Sequence, residues 1–143
     1  MLMALRDKKY KFGERPQVYK NKSFFASLEF AMMGIKTAYK DERNMRTHTT
    51  LALIAIVAGF LFHLARAEWL WIGLAIFLMH FAEMLNTSIE NVVDLAANRH
   101  FHPLAKKAKD MAAGAVLFAA FFSLFVGCVV FLPKIWELLK SLN

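Results

Sequence analysis

The sequence predicts an all-α membrane protein with three transmembrane helices and one amphipathic helix at the membrane surface. Of its 143 residues, 58% are hydrophobic and only 20% are charged, which is unusual for a short soluble chain. The hydrophobic residues form three long blocks. Residues 111–132 contain no charged side chain, and the only ionisable side chains of 49–65 and 69–82 are His63 and His80. A bilayer core of about 30 Å needs about 20 mostly apolar residues per helix, so each block is a candidate span.

The N-terminal part of the chain divides into a basic arm and an amphipathic helix. Residues 1–22 are polar and basic, and we expect a cytoplasmic arm that precedes a membrane domain over 23–143. The segment 23–40 predicts the surface helix, because apolar side chains recur in it at helical spacing. They are Phe24, Leu28, Ala31, Ile35 and Tyr39. A helix that packs on a soluble partner is the alternative interpretation of this segment.

The apolar blocks predict spans at about 46–65, 69–98 and 109–132. The first block is short, so its helix is expected to begin earlier and to carry polar residues at its cytoplasmic end. Residues 99–108 predict a polar loop between the second and third spans. Because proline interrupts helical hydrogen bonding, Pro133 is expected to end the third span.

Basic residues are concentrated near the N-terminus and between the last two spans. Residues 1–50 carry 11 Lys and Arg against 5 Asp and Glu, and residues 98–110 carry a second excess of basic side chains. Basic segments beside spans usually remain in the cytoplasm, so we expect the N-terminus inside and the C-terminus outside. This topology accounts for the net charge of +7, which therefore does not indicate a nucleic acid partner.

An acidic stripe runs along the second predicted span. At about 100° per residue, Glu83, Asn86, Glu90 and Asp94 share one face of the helix. Carboxylates at membrane depth are costly, and they usually face protein or a wet cavity. They require a cation, a proton or basic partners, and Mg²⁺ is a cation that prefers carboxylate oxygens. Glu42, which precedes the first span, could supply a metal ligand from a second helix.

A second polar cluster lies where the third predicted helix begins. The negative charge of Asp110 is stabilised by the positive end of the helix dipole at this position. The positive charge of Lys109 is not stabilised by the dipole at this end of the helix. Lys109 is therefore either a phosphate anchor or one of the basic residues that set the orientation of the chain in the membrane. In the preceding loop, His100 and His102 either stack on a base or are simply solvated.

Two sequence motifs carry a resemblance to a known family. The run EMLNTSIENVVD, followed by AKKAKDMAAGAV, resembles the prokaryotic diacylglycerol kinase family of small integral membrane lipid kinases. The resemblance extends from about residue 23 to residue 133. The segment ERNMRTH resembles the Gram-positive branch, which is similar to undecaprenol kinase, an enzyme that prefers a polyprenyl alcohol to diacylglycerol.

The resemblance implies a fold, a reaction and a location. It implies three transmembrane helices, a surface helix and a homotrimer with active sites between subunits. The implied reaction transfers the γ-phosphoryl group of ATP to the primary hydroxyl of a lipid, and it requires Mg²⁺. The implied location is the bacterial plasma membrane, which the chain crosses several times, with the active site on the cytoplasmic side.

The resemblance also implies a role for each polar residue of the motifs. Glu83 matches the family's proposed catalytic base, and Glu42 and Glu90 match its metal ligands. The implied nucleotide- and phosphate-binding residues are Asn86, Asp94, Phe101, His102, Lys109 and Asp110.

Alternatives remain for the acceptor and for the class of protein. Family members that prefer diacylglycerol carry a further Glu where this chain has His48. Undecaprenol is the acceptor that the similarity to the Gram-positive branch implies, and diacylglycerol is the alternative. An ion-conducting subunit would also explain an acidic stripe, although it would not explain the lysine cluster at 106–110. A non-catalytic membrane scaffold is the third possibility.

Overall fold

The computed structural model describes residues 24–142, and in this part the chain folds into four helices. They are α1 (Phe24–Asp41), α2 (Arg43–Leu61), α3 (Arg66–Ala96) and α4 (Pro103–Leu142). The predicted all-helical class is confirmed, and α1 coincides closely with the predicted surface helix. The predicted basic arm lies outside the described residues.

Helix α3 is the centre of the arrangement. It packs along α4 over most of its length, it contacts α2 on another side, and α1 contacts both α2 and α3. The buried apolar core lies near one end of this packing. It consists of Leu64, Ile72, Ala75, Val126 and Val130. Since α2 and α4 make little contact with each other, a cavity of about 310 Å³ remains between them on the surface of α3.

Large apolar side chains cover much of the outside of the helices. Among the exposed ones are Leu70, Phe77, Leu95, Phe118, Phe121, Leu124 and Phe125. A soluble monomer rarely exposes such continuous apolar surface. Within the described residues, α3 and α4 are the two helices long and apolar enough to cross a membrane. The apolar part of α2, residues 49–61, measures only about 20 Å at 1.5 Å per residue.

A braced corner, residues 39–49, joins α1 to α2. Helix α1 ends because Glu42 has an extended backbone, with φ −100° and ψ 118°. The Arg46 guanidinium Nη1 donates hydrogen bonds to the carbonyl oxygens of Tyr39 at 3.0 Å and Lys40 at 2.9 Å. A basic side chain thus satisfies carbonyl groups that the end of α1 leaves unpaired.

A four-residue turn at 62–65 makes α2 and α3 an antiparallel hairpin. The backbone N–H of Leu64 donates to the carbonyl of Gly59 at 3.0 Å, and His63 has a φ of 50°. The rings of Phe60 and Trp69 lie 4.9 Å apart across the hairpin. The absence of a side chain at Gly59 leaves room for this close approach.

We expect Gly59→Ala to destabilise the protein by about 1–3 kcal/mol. A Cβ atom at this position would lie 2.7 Å from Cη2 of Trp69 and 3.0 Å from Cδ1 of Leu64, so the hairpin would have to open. Thermal unfolding in detergent, followed by circular dichroism, measures the loss. Gly73→Ala is the matched control, because its Cβ would meet no atom within 4 Å. Equal melting temperatures for the two variants would contradict this account.

Helix α4 is longer than predicted at both ends. It begins at Pro103, inside the predicted polar loop, because proline is favoured in the first turn, where its missing N–H is not needed. Pro133, which is predicted to end the third span, does not end the helix, since α4 continues to Leu142. Proline removes one hydrogen bond from the helix interior, and two contacts involve the segment of α4 that follows it. Lys134 lies 3.1 Å from the Glu68 carboxylate, and the Lys140 ammonium lies 5.3 Å from the centre of the Trp136 ring.

Candidate active site

The carboxylate of Glu83 is buried within the helix packing. Its side chain belongs to α3 and is only 1% exposed. The atom Oε2 has no hydrogen-bond partner among residues 24–142. A buried carboxylate oxygen normally has a partner, because its desolvation is otherwise costly. An unpartnered one is therefore a candidate for a group that acts on a ligand.

Asn86 and Glu90 continue the same face of α3 beyond Glu83. The amide Nδ2 of Asn86 donates to Oε1 of Glu90 at 3.1 Å, an interaction between residues one turn apart. The amide oxygen Oδ1 of Asn86 is buried and has no partner in the described part of the chain. The pair therefore presents carboxylate and amide oxygens together, and both are ligands that Mg²⁺ accepts.

Lys109 connects α4 to the acidic stripe. Its Nζ lies 2.6 Å from Oδ1 of Asp94, and both side chains are partly exposed. Asp110 instead pairs with Lys106 on the exposed side of α4. The fold thus brings Asp94 and Lys109 together from two helices, whereas Asp110 points to a different neighbour.

Glu42 is the single residue between α1 and α2, within the braced corner. It is half-buried, and within residues 24–142 its side chain has no hydrogen bond or ion pair. No group of three or more His, Cys, Asp or Glu side chains in these residues is arranged to hold a metal ion. Within the described residues, the Glu42 carboxylate and the Asn86 amide oxygen are each without a partner, and both are donors of the kind that Mg²⁺ accepts when phosphate supplies further ligands.

Phe101 and His102 lie in the short connection from α3 to α4. The Nδ1 atom of His102 accepts a hydrogen bond from the backbone N–H of Leu104 at 3.2 Å, so its ring caps the start of α4. Phe101 is 81% exposed. Together with His100, these side chains line an open cavity of about 520 Å³ beside the end of α3.

The sequence did not indicate one polar contact, which joins α1, α2 and α3. The hydroxyl of Thr49 lies 2.9 Å from the hydroxyl of Tyr39 and 3.0 Å from Nε2 of His80. His80 lies in an apolar block of the sequence, and nothing in that block indicates a polar partner for it. No periodicity links three polar side chains on separate helices, so only the fold reveals this contact.

Comparisons with known proteins decide the family. Residues 29–131 match the family model for prokaryotic diacylglycerol kinase. The chain belongs to this family. It is therefore a lipid kinase associated with membranes, and its substrates are ATP and a lipid.

Relatives of the chain include both kinds of kinase that the sequence predicts. It is 46% identical to undecaprenol kinase of Bacillus subtilis over 112 residues, which cover 78% of this chain and 90% of the relative. It is 38% identical to diacylglycerol kinase of Synechocystis over 117 residues, 82% of this chain and 67% of the relative. A diacylglycerol kinase of Helicobacter pylori is also 38% identical, over 80% of this chain and 89% of the relative.

Proposed function

We propose that this family member transfers the γ-phosphoryl group of ATP to the primary hydroxyl of undecaprenol, at the cytoplasmic face of a bacterial membrane. The observation that carries the proposal is the carboxylate of Glu83, which is buried and lacks a partner for Oε2 in the described residues. In a lipid kinase, such a group is suited to accept a proton from an alcohol that approaches through the bilayer.

Glu83 acts as the general base of this reaction. As the lipid hydroxyl oxygen forms its bond to the γ-phosphorus, the bond from that phosphorus to the β–γ bridging oxygen breaks, and ADP leaves. The hydroxyl proton passes to the carboxylate of Glu83. Burial keeps water away from the carboxylate, which favours the lipid alcohol over water as the acceptor.

Glu42 and Glu90 would hold Mg²⁺, and the amide oxygen of Asn86 is a further candidate ligand. The bound ion would neutralise charge on the ATP phosphates. Asn86 also orients the Glu90 carboxylate through the hydrogen bond of 3.1 Å, so that Glu90 is held in place before the metal arrives.

Lys109 binds a phosphate oxygen, and Asp94 keeps its ammonium group in position through the contact of 2.6 Å. Asp110, which pairs with Lys106, supports the first turns of α4. Phe101 and His102 border the open cavity at the end of α3 and contact the adenine base. Aromatic and imidazole rings are suited to this role because they can stack on a base.

Three spans and a homotrimer complete the proposal. Helix α2, with 19 residues, is about 28 Å long and can cross the bilayer if its polar first turns lie among the headgroups. The exposed apolar faces of α3 and α4 supply surface for both lipid and neighbouring subunits. With the N-terminus in the cytoplasm, α3 ends on the cytoplasmic side, where ATP is available.

Undecaprenol is the favoured acceptor because the relative from Bacillus subtilis, at 46% identity, is an undecaprenol kinase. Diacylglycerol is the second candidate, since two of the relatives named above are diacylglycerol kinases at 38% identity. An ion-conducting role has less support, because Glu90 and Asp94 are both engaged by neighbouring side chains.

A transfer assay with radiolabelled ATP in mixed micelles tests the acceptor. We expect kcat/KM for undecaprenol to exceed that for diacylglycerol by at least about tenfold, a ratio that differences in apolar contact alone can produce. Shorter prenols should fall between the two. A preference for diacylglycerol would contradict the assignment of the acceptor, and no transfer to any lipid alcohol would contradict the proposed reaction.

A further inference from the structure

The contact among Tyr39, Thr49 and His80 lies between helices whose other contacts are mostly apolar. Thr49 and His80 are both partly buried. The Nδ1 atom of His80 lies 2.8 Å from the carbonyl oxygen of Ile76, which can only accept, so Nδ1 carries a proton directed to it. The ring is thereby fixed in orientation, and Nε2 is aimed at Thr49.

A polar contact of this kind determines how two helices are aligned along their axes. Apolar side chains tolerate sliding, whereas a hydrogen bond in a medium of low polarity is directional and is lost when the helices shift. A shift of one residue moves a helix by about 1.5 Å, which is enough to break the contact. The Thr49–His80 contact therefore favours one register of α2 against α3.

This register has a consequence at the cytoplasmic ends of the two helices. Thr49 is seven residues after Glu42, which corresponds to a rise of about 10 Å along α2. Because α2 and α3 are antiparallel, the same rise from His80 along α3 leads to Thr87, near the middle of the segment 83–90. Glu42 is thus placed at the axial level of this segment.

Contacts within the braced corner fix the position of Glu42 relative to α2. Arg46 binds the carbonyl groups at the end of α1, and the Tyr39 hydroxyl contacts Thr49 at 2.9 Å. The Thr49 hydroxyl oxygen also lies 2.9 Å from the carbonyl oxygen of Met45, and Met45 is fully buried. These contacts leave the corner little freedom to move relative to α2.

We propose that Tyr39, Thr49 and His80 are positioning residues that set the register of α2 against α3 and so hold Glu42 opposite the segment 83–90. The inference rests on the proposed magnesium site of Glu42 and Glu90. None of the three positioning residues needs to touch ATP, metal or lipid. Their effect is on the distance between ligands that belong to two different helices.

Binding of Mn²⁺ as a substitute for Mg²⁺ tests the inference without relying on turnover. The purified protein in detergent, with a non-hydrolysable ATP analogue, is titrated with Mn²⁺, and the free ion is followed by electron paramagnetic resonance. We expect His80→Phe and the nearly isosteric Thr49→Val to weaken Mn²⁺ binding by about tenfold, as loss of a residue that orients metal ligands typically does. Thr49→Ser, which keeps the hydroxyl, should bind Mn²⁺ like the parent protein.

Ser123→Ala is the matched control. The Ser123 hydroxyl lies 3.3 Å from the carbonyl of Ala75, so this change removes another interhelical polar contact, between α4 and α3. It should leave Mn²⁺ binding unchanged. If Glu42→Gln weakens binding while Thr49→Val and His80→Phe do not, the register inference is overturned and the magnesium site stands. If Glu42→Gln leaves binding unchanged, the proposed magnesium site fails, and the inference fails with it.

Discussion

Glu83→Gln is expected to lose at least about a hundredfold in turnover while it keeps the fold of the parent protein. The substitution preserves the size and shape of the side chain but removes its ability to accept a proton. Because Glu83 is buried and Oε2 has no partner within the described range, the change breaks no structural hydrogen bond of that atom. Single-turnover transfer from radiolabelled ATP to lipid measures the chemical step directly.

The control for this variant is Glu137→Gln, which neutralises an exposed carboxylate near the distal end of α4. It should retain the turnover of the parent protein. Binding of ATP to Glu83→Gln should also be nearly normal, since the role assigned to Glu83 concerns the acceptor hydroxyl. A normal transfer rate in Glu83→Gln would remove Glu83 from the role of base.

Glu90→Gln is expected to raise the Mg²⁺ concentration for half-maximal activity by about 10- to 100-fold. The amide oxygen of the new side chain can still accept the hydrogen bond from Asn86, so the local geometry at 3.1 Å can persist. What is lost is the negative charge that attracts the ion. Activity measured over a range of Mg²⁺ concentrations at saturating ATP gives the shift.

The magnesium assignment also predicts how the Glu90→Gln defect can be relieved. Raised Mg²⁺ should restore much of its activity, whereas it should not rescue Glu83→Gln. Glu29→Gln, a change at an exposed carboxylate of α1, controls for the loss of negative charge as such. An unchanged magnesium requirement in Glu90→Gln would show that this carboxylate is not a ligand.

The sequence predicted the number and order of the helices because their apolar patterns are strong and regular. It also predicted that Glu83, Asn86 and Glu90 share a face, since helical spacing alone fixes this relation. The Asn86–Glu90 hydrogen bond agrees with that prediction. Local rules of this kind need no information about neighbouring helices.

Features that depend on contacts between distant parts of the chain could not be predicted in the same way. Helix α4 continues past Pro133, and Lys134, the next residue, pairs with Glu68 on another helix. The sequence placed Lys109 where the third helix begins, but only the packing of α3 on α4 shows that Asp94 is its neighbour. The contact of Thr49 with His80 likewise spans 31 positions of sequence.

The buried position of Glu83 has a consequence for attempts to make the protein more resistant to heat. A buried carboxylate whose Oε2 atom has no partner among residues 24–142 weakens the fold, and an apolar side chain of similar volume would pack in its place more favourably. Selection for thermal tolerance alone would therefore tend to replace the side chain on which the reaction depends. Screens for thermostable variants should accordingly leave Glu83 unchanged and introduce substitutions on the lipid-facing surface instead.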